Sequence, residues 1–281
     1  MILIADSGST KTDWCLIDDE GHRTNISTKG MNPYQQNEEQ LANEVATSLV
    51  PQLPTTPIDG VYFYGAGCIY DKIPLMERVL RSKINITGHC EVNSDMLGVA
   101  RALCGHEAGI ACILGTGSNT CFYDGEKITK NVSSLGFILG DEGSGSALGK
   151  LFVNSLYKGL LGEEIKEEFE HTFNLDTGKV IENVYRQPYP NRFLASFAPF
   201  IYQHRHDEKV YQQIFANFDA LFKHCLVQYD YQHYSIHFCG SIAWFFREIL
   251  EKVAVFHQFT IGTIERAPLD GLVKYHQLFL R

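Results

Sequence analysis

The residues best suited to chemistry are a few carboxylates set beside glycine turns. Leu114-Gly115-Thr116-Gly117-Ser118-Asn119-Thr120 follows an apolar run, Ile110 to Leu114, and precedes a second, Cys121 to Tyr123, closed by Asp124-Gly125. Strand, glycine turn, strand makes a hairpin whose turn carries little side-chain bulk. Backbone N–H groups can approach a ligand closely there, and Ser and Thr hydroxyls add donors, which is what a phosphate needs. The chain opens with the same device: Met1 to Ala5 as strand, Asp6-Ser7-Gly8-Ser9-Thr10-Lys11-Thr12 as turn, Trp14 to Ile17 as return strand, Asp18-Asp19-Glu20-Gly21 as close. Set side by side, Gly8-Ser9-Thr10 matches Gly117-Ser118-Asn119. A short glycine motif alone is as often an ordinary hairpin as a site. A matched pair in the same context points to a duplicated domain whose two turns face one cleft.

Four further positions carry chemistry. Asp6, at the carboxyl end of the first strand, suits the water shell of Mg²⁺, which takes few protein ligands; the alternative is a turn aspartate bonding nearby N–H groups. Lys11 can touch a phosphate, although a solvated lysine is the more ordinary reading. Asp95 follows the strand ending at Val92 and opens a helix, where Asp is favoured anyway; at the carboxyl edge of an α/β sheet it can also be a general base. Gly140-Asp141-Glu142-Gly143-Ser144-Gly145 combines two carboxylates with three glycines before a helix, so Asp141 can bond sugar hydroxyls; the alternative is a flexible acidic loop. Cys239-Gly240-Ser241 ends a strand and opens a helix, suited to a nucleoside resting on small residues or to a plain helix cap by Ser241. The histidines are scattered, and His204 and His206 do not share a helix face, so no protein-built metal centre is expected.

The elements that must position these groups repeat. Three strands (Met1 to Ala5, Trp14 to Ile17, His22 to Thr28) are followed by a helix from Glu38 to Leu49 with Leu41, Val45 and Leu49 at helical spacing. Strand Gly60 to Tyr64, helix Pro74 to Ile84, strand Asn85 to Val92 and helix Asp95 to Leu103, capped by Ser94, complete the first half. Strands at Ile110 to Leu114, Thr120 to Tyr123 and Lys127 to Val132 begin the order again. Helices follow over Ala147 to Leu161, Glu163 to Phe173, Thr177 to Gln187, Phe193 to His204 and Glu208 to Tyr231. A strand from Ser235 to Cys239, a helix from Ala243 to Val253, a strand from Phe256 to Ile261 and a closing helix from Pro268 to Leu280 end the chain. The expected domains are residues 1–104 and 105–281, with the closing helix 268–281 free to pack on the first.

Composition fits this reading. At 281 residues, 44% hydrophobic and 20% charged, the chain can fill two globular cores. A net charge of −9 without a basic stripe makes nucleic acid an unexpected partner. No apolar run reaches the length of a membrane span, the amino terminus has no basic region, and eight cysteines lack C-x-x-C spacing, so a reducing, cytoplasmic location is expected.

Together the motifs resemble the acetate and sugar kinase/heat-shock chaperone/actin superfamily, and within it the N-acetylglucosamine kinases and the related activating ATPases of benzoyl-CoA reductase and 2-hydroxyacyl-CoA dehydratase. The resemblance implies two ribonuclease-H-like α/β domains, the actin-like ATPase fold, with a cleft between them. It implies ATP and Mg²⁺ as cofactors and a small-molecule sugar as substrate, and it allows a homodimer. On it, Gly8, Ser9, Thr10, Gly117, Ser118 and Asn119 hold phosphates; Gly240 and Ser241 hold adenosine; Asn32, Thr116 and Asp141 hold the sugar. Asp6 holds the metal through water, and Asn93-Ser94-Asp95 matches the segment of the catalytic base, Asp95. Leu135 stands where the animal kinases carry a Trp against the sugar, which leaves the sugar open. Two other functions are carried forward: an activating ATPase, for whose iron–sulfur cluster Cys104 and Cys112 are the nearest candidates, and a nonenzymatic sugar or nucleotide sensor.

Overall fold

Leu3 and Ala5 face one apolar layer while Ile2 and Ile4 face another, so the first strand is buried on both sides. That is why Met1 to Ala5 reads as a continuous apolar run rather than an alternating one. The computed structural model describes residues 1–8 and 10–277, so the phosphate contact expected of Ser9 and the expected end of the closing helix at Leu280 lie outside the described residues. The chain divides into two units: Met1–Glu107, Gly125–Lys127 and the described residues from Ala267 form the first, and Ala108–Asp124 with Ile128–Arg266 the second.

In the first unit, strands β1 (Ile2–Ser7), β2 (Lys11–Ile17), β3 (Arg23–Lys29), β4 (Ile58–Gly65) and β5 (Ile86–Ser94) form a sheet in the order β3-β2-β1-β4-β5. The first three are antiparallel, and β4 and β5 run parallel to β1. Helices α1 (Glu38–Glu44), α2 (Lys72–Lys83) and α3 (Asp95–Cys104) connect them. Leu41 of α1 and Val79 and Leu80 of α2 join Leu3, Ala5 and Phe63 in one core. Leu272 and Val273 of the closing helix Leu269–Gln277 join Ile2, Ile4, Cys15 and Ile17 on the other face.

The second unit repeats the plan. Strands β6 (Gly109–Leu114), β7 (Ser118–Tyr123), β8 (Ile128–Val132), β9 (Ile236–Cys239) and β10 (Ile261–Glu265) lie in the order β10-β9-β6-β7-β8, with the same mixture of antiparallel and parallel pairs. Between β8 and β9 run α4 (Gly136–Leu139), α5 (Gly145–Tyr157), α6 (Glu163–Phe173), α7 (Thr177–Tyr185), α8 (Pro190–Ala195), α9 (Ala198–Gln203) and α10 (Glu208–His224); α11 (Ser241–Phe245) and α12 (Arg247–Phe256) follow β9. The two sheets share one strand order, so the duplication expected from the paired hairpins is present, and the fold is the two-domain actin-like ATPase fold.

Several boundaries differ from expectation for identifiable reasons. The helix expected over Phe193 to His204 is two helices, because Pro199 is tolerated in the first turn of α9 but would clash inside a continuous helix. The helix expected from Glu38 to Leu49 is regular only to Glu44 and continues as a π turn, Val45–Leu49. The strand expected over Phe256 to Ile261 lies at Ile261–Glu265 instead: Phe256 ends α12, and the buried Phe259 stacks on Tyr231 at 3.9 Å rather than pairing in the sheet. Among the described residues no helix is long and apolar enough to cross a membrane.

Candidate active site

In the first unit the carboxyl ends of the three parallel strands meet at one edge, since Ser7 of β1 stands beside Gly65 of β4, and Gly65 beside Ser94 of β5. Asp6 and Asp95 lie at this edge, where open α/β sheets present ligands. The first hairpin is longer than the apolar run implied, and Asp6 belongs to its ladder, opposite Asp13, rather than to the turn. The ladder extends because Ser7 and Thr12 are fully buried: their hydroxyls are 2.7 Å apart, and the backbone of Met31 and Lys29 satisfies them. Gly8 and Thr10 are left exposed at the turn, where the Gly8 N–H donates to Lys11 O at 3.0 Å.

Asp95 opens α3. The Ser94 side chain caps the helix by accepting the Leu97 N–H, and Asp95 Oδ1 accepts the Met96 N–H at 2.8 Å. Both Asp6 and Asp95 keep some surface. Burial pushes the Asp95 carboxyl above the usual range against the pull of backbone N–H groups. Burial first, and then the charges of Asp95 and Asp13, push Asp6 up to about 7. Lys11 pairs with Asp13 here, at 2.7 Å. An oxygen-only set with surplus negative charge suits Mg²⁺, and Asp6 and Asp13 are the residues that would hold it. Among the described residues no three Asp, Glu, His or Cys side chains converge on a metal-sized point. Asn32 lies on the loop tied to the end of β1. It is nearly buried, and its Oδ1 accepts the Tyr34 N–H at 2.9 Å, so that oxygen is committed to the turn.

In the second unit the ladder of β6 and β7 runs to Leu114 opposite Ser118, which leaves Gly115, Thr116 and Gly117 as the turn. Register therefore places Gly115, not Gly117, at the position of Gly8, and Ser118 and Asn119 are strand residues. Asn119 Oδ1 accepts from the Thr120 N–H and from Asn131 Nδ2, each at 2.9 Å. The turn is clamped from outside. Gly145 N–H donates to Gly115 O at 2.8 Å, and Ser146 N–H to Thr116 O at 3.0 Å. The first turn of α5 thus holds the hairpin. Among the described residues no hydrogen bond takes up the N–H of Thr116 or Gly117, so these two amides are available to a phosphate.

Asp141 packs against the same turn. Its Oδ1 accepts the Ser118 N–H at 3.3 Å, and a Cβ on Gly117 would lie 3.0 Å from its Oδ2. Burial pushes its carboxyl up, offset by the Ser118 N–H. The acidic loop is not loose: Asn217, buried in α10, accepts from the Gly143 N–H and donates to Ser144 O, each at 3.2 Å. At the end of β9, Gly240 has φ of +122° and backs onto Leu114 O, where a Cβ would stand 2.3 Å away; only glycine fits. Ser241 opens α11 directly beyond it.

The fold adds a wall that sequence spacing did not reveal. A cavity of about 530 Å³ runs from Gly115 and Thr116 to Ser241, and Pro199, Tyr202, Phe245 and Phe246 line it. It joins the Gly115-Thr116-Gly117 turn to the Gly240-Ser241 corner. The cysteines are poor cluster ligands: Cys112 is fully buried in β6, and burial pushes the Cys104 thiol up to about 12.

Two sheets of one order, with acids at the carboxyl edge of the first and a glycine-turn cavity in the second, define a two-domain protein of the actin-like ATPase fold. No family model and no curated protein matches the chain; the likenesses are to solved structures. The putative N-acetylglucosamine kinase of Porphyromonas gingivalis is 45% identical, with 99% of each chain covered and a TM-score of 0.95. The putative N-acetylglucosamine kinase of Chromobacterium violaceum is 16% identical over 100% of this chain and 98% of that one, with a TM-score of 0.77. A ROK family glucokinase from Streptomyces griseus, in complex with glucose and AMPPNP, is 15% identical over 99% and 98%, with a TM-score of 0.57. The last two share the fold. The first shows the family: the chain belongs with the P. gingivalis protein among the putative N-acetylglucosamine kinases.

Proposed function

We propose that this protein is an ATP-dependent kinase that transfers the γ-phosphoryl group to a hydroxyl of N-acetylglucosamine or a related amino sugar. The observation that carries the reading is the full-length identity of 45% to the P. gingivalis protein. The geometry supports it. Asp95 sits at the carboxyl edge of a sheet with its carboxyl raised by burial, so its carboxylate is a stronger base than an exposed one. It takes the proton of the sugar hydroxyl as that oxygen bonds to the γ-phosphorus and the bond to the ADP oxygen breaks. The amides of Thr116 and Gly117 face the phosphates, and the cavity beside Ser241 takes the nucleoside. Mg²⁺, where bound near Asp6 and Asp13, would neutralise phosphate charge. Asp141 is in reach of the turn and contributes a carboxylate for sugar hydroxyls.

The test is a sugar panel with coupled ADP detection. N-acetylglucosamine or another amino sugar is expected to release ADP in proportion to sugar consumed. Asp95→Asn keeps the shape and removes the base, so kcat should fall by at least about 10²-fold while sugar and nucleotide binding persist. Near-normal turnover in that variant would remove Asp95 from the mechanism.

A further inference from the structure

The cavity beside Ser241 is walled largely by apolar and aromatic side chains. Tyr202 stands edge-on to Phe246 at 5.4 Å and to Phe245 at 6.0 Å, and guanidinium groups lie 4.0 Å (Arg205) and 5.4 Å (Arg266) from the Tyr202 and Phe245 ring centroids, so the aromatic wall is braced by its neighbours. Pro199, one residue into α9, offers no N–H to a base. The Ser196 hydroxyl already donates to Phe193 O at 2.7 Å. Gln203 is exposed at the rim, and among the described residues nothing hydrogen-bonds its amide; the Thr116, Tyr202 and Ser241 hydroxyls that also line the cavity rotate and can donate or accept.

We propose that this pocket takes guanine as well as adenine, so that GTP is a second phosphoryl donor; the proposal rests on the kinase reading above. Stacking on an aromatic wall is indifferent to which base supplies the π face. Discrimination between purines needs fixed donors and acceptors at the base edge. Adenine offers a donor at N6 and an acceptor at N1, and guanine offers the reverse at O6 and N1. A site built to bond one pattern rejects the other by about 10⁴–10⁵, whereas an apolar pocket separates near-isosteres by only about 10² or less. An unanchored glutamine carries both a donor and an acceptor and can turn by half a rotation, so it pairs with either pattern. Neither base leaves a buried group of the protein unpaired.

The experiment measures kcat/KM for ATP and for GTP on the full chain with saturating N-acetylglucosamine, and measures binding of each magnesium nucleotide by calorimetry. The expected result is a preference of about thirtyfold or less in both measurements; a larger preference for ATP in binding overturns the proposal. Gln203→Ala should weaken both nucleotides together and leave the ATP-to-GTP binding ratio within about fivefold of wild type, because the amide serves both bases. A larger change means that Gln203 reads the base, and the proposal falls. The binding arm separates this inference from the one beneath it. Equal ATP and GTP affinities without turnover on any amino sugar would sink the kinase reading and keep base tolerance. ATP turnover with a binding preference beyond thirtyfold would do the opposite.

Discussion

One oxygen of Asp141 accepts the Ser118 N–H while the other lies against Gly117, so this carboxylate shapes the glycine turn in addition to its proposed contact with the acceptor sugar. A charge-assisted hydrogen bond contributes roughly 1.5–3 kcal/mol, about one to two decades of affinity. Asp141→Ala should therefore raise the sugar KM by about tenfold and the ATP KM several-fold, the second because the turn loses its partner. Asp141→Asn separates the two effects. An amide oxygen can still accept from Ser118, so the ATP KM should return toward wild type while the sugar KM stays high. Steady-state kinetics with each substrate varied will decide; an Ala variant altered only in the sugar KM would leave Asp141 no part in the turn. Of these residues, sequence marked the carboxylate and its neighbouring glycines but not the link between them. Gly117 and Asp141 meet because the segment between β8 and α5 returns the chain to the hairpin, where the first turn of α5 anchors it, and no local spacing encodes that return.

At the scale of the element, α5 is a clamp. Ser144 is fully buried, caps the helix by accepting the Ala147 N–H at 3.1 Å and lies 3.1 Å from the Ser146 hydroxyl. The next two amides, Gly145 and Ser146, reach the carbonyls of Gly115 and Thr116 in the glycine turn. Replacing an N-cap serine by alanine costs about 0.5–2 kcal/mol, and a buried partner left unpaired adds to it. Ser144→Ala should lower stability by about 1–3 kcal/mol in thermal or urea unfolding and raise the ATP KM more than the sugar KM. A variant with unchanged stability would mean that the cap is dispensable. Such elements were legible where apolar period and cap agree. Glu163–Phe173 lies where its pattern places it, and Ser94 caps α3 as expected. They were misread where apolar residues serve tertiary packing, as at Phe256 and Phe259, and where the true strand is a weak edge: Ile261–Glu265 has no buried residue. The cavity wall at Pro199 and Tyr202 was not legible at all, since only the folded chain brings that segment to Thr116.

At the scale of the whole chain, the duplicated sheet order was readable from two hairpins, but the way the last described helix locks onto the first sheet was not. His276 stacks on Tyr62 at 3.8 Å, and the Tyr64 hydroxyl is 2.8 Å from its Nε2. Arg101 donates to that same hydroxyl at 2.7 Å and to Glu91 at 2.6 Å. Since Arg101 supplies the tyrosine oxygen with a proton donor, Tyr64 donates in turn to His276, which requires Nε2 to be unprotonated. Burial, with Arg101 and His89 adding to it and Glu91 opposing, lowers His276 from 6.5 to about 4. A base whose pKa falls on folding stabilises the fold above its unfolded pKa and loses that contribution as pH drops through the window from 6.5 to about 4. The full shift corresponds to about 3 kcal/mol. Asp6 works the other way. Its pKa rises on folding from 3.8 to about 7, so its contribution is favourable at low pH and lost as pH rises through that range. Wild-type stability alone therefore mixes two opposing trends, and a difference against a variant is needed. His276→Gln supplies an acceptor for Tyr64 without a titrating ring. Trp14 is buried in the first unit, so a Trp244→Phe background lets its fluorescence report that unit's unfolding. Between about pH 7.5 and about pH 4.5, urea titrations should show the His276 protein losing about 2–3 kcal/mol more than the His276→Gln protein. Parallel pH dependences in the two would mean that the histidine is not held neutral and that the closing helix is fastened by packing alone.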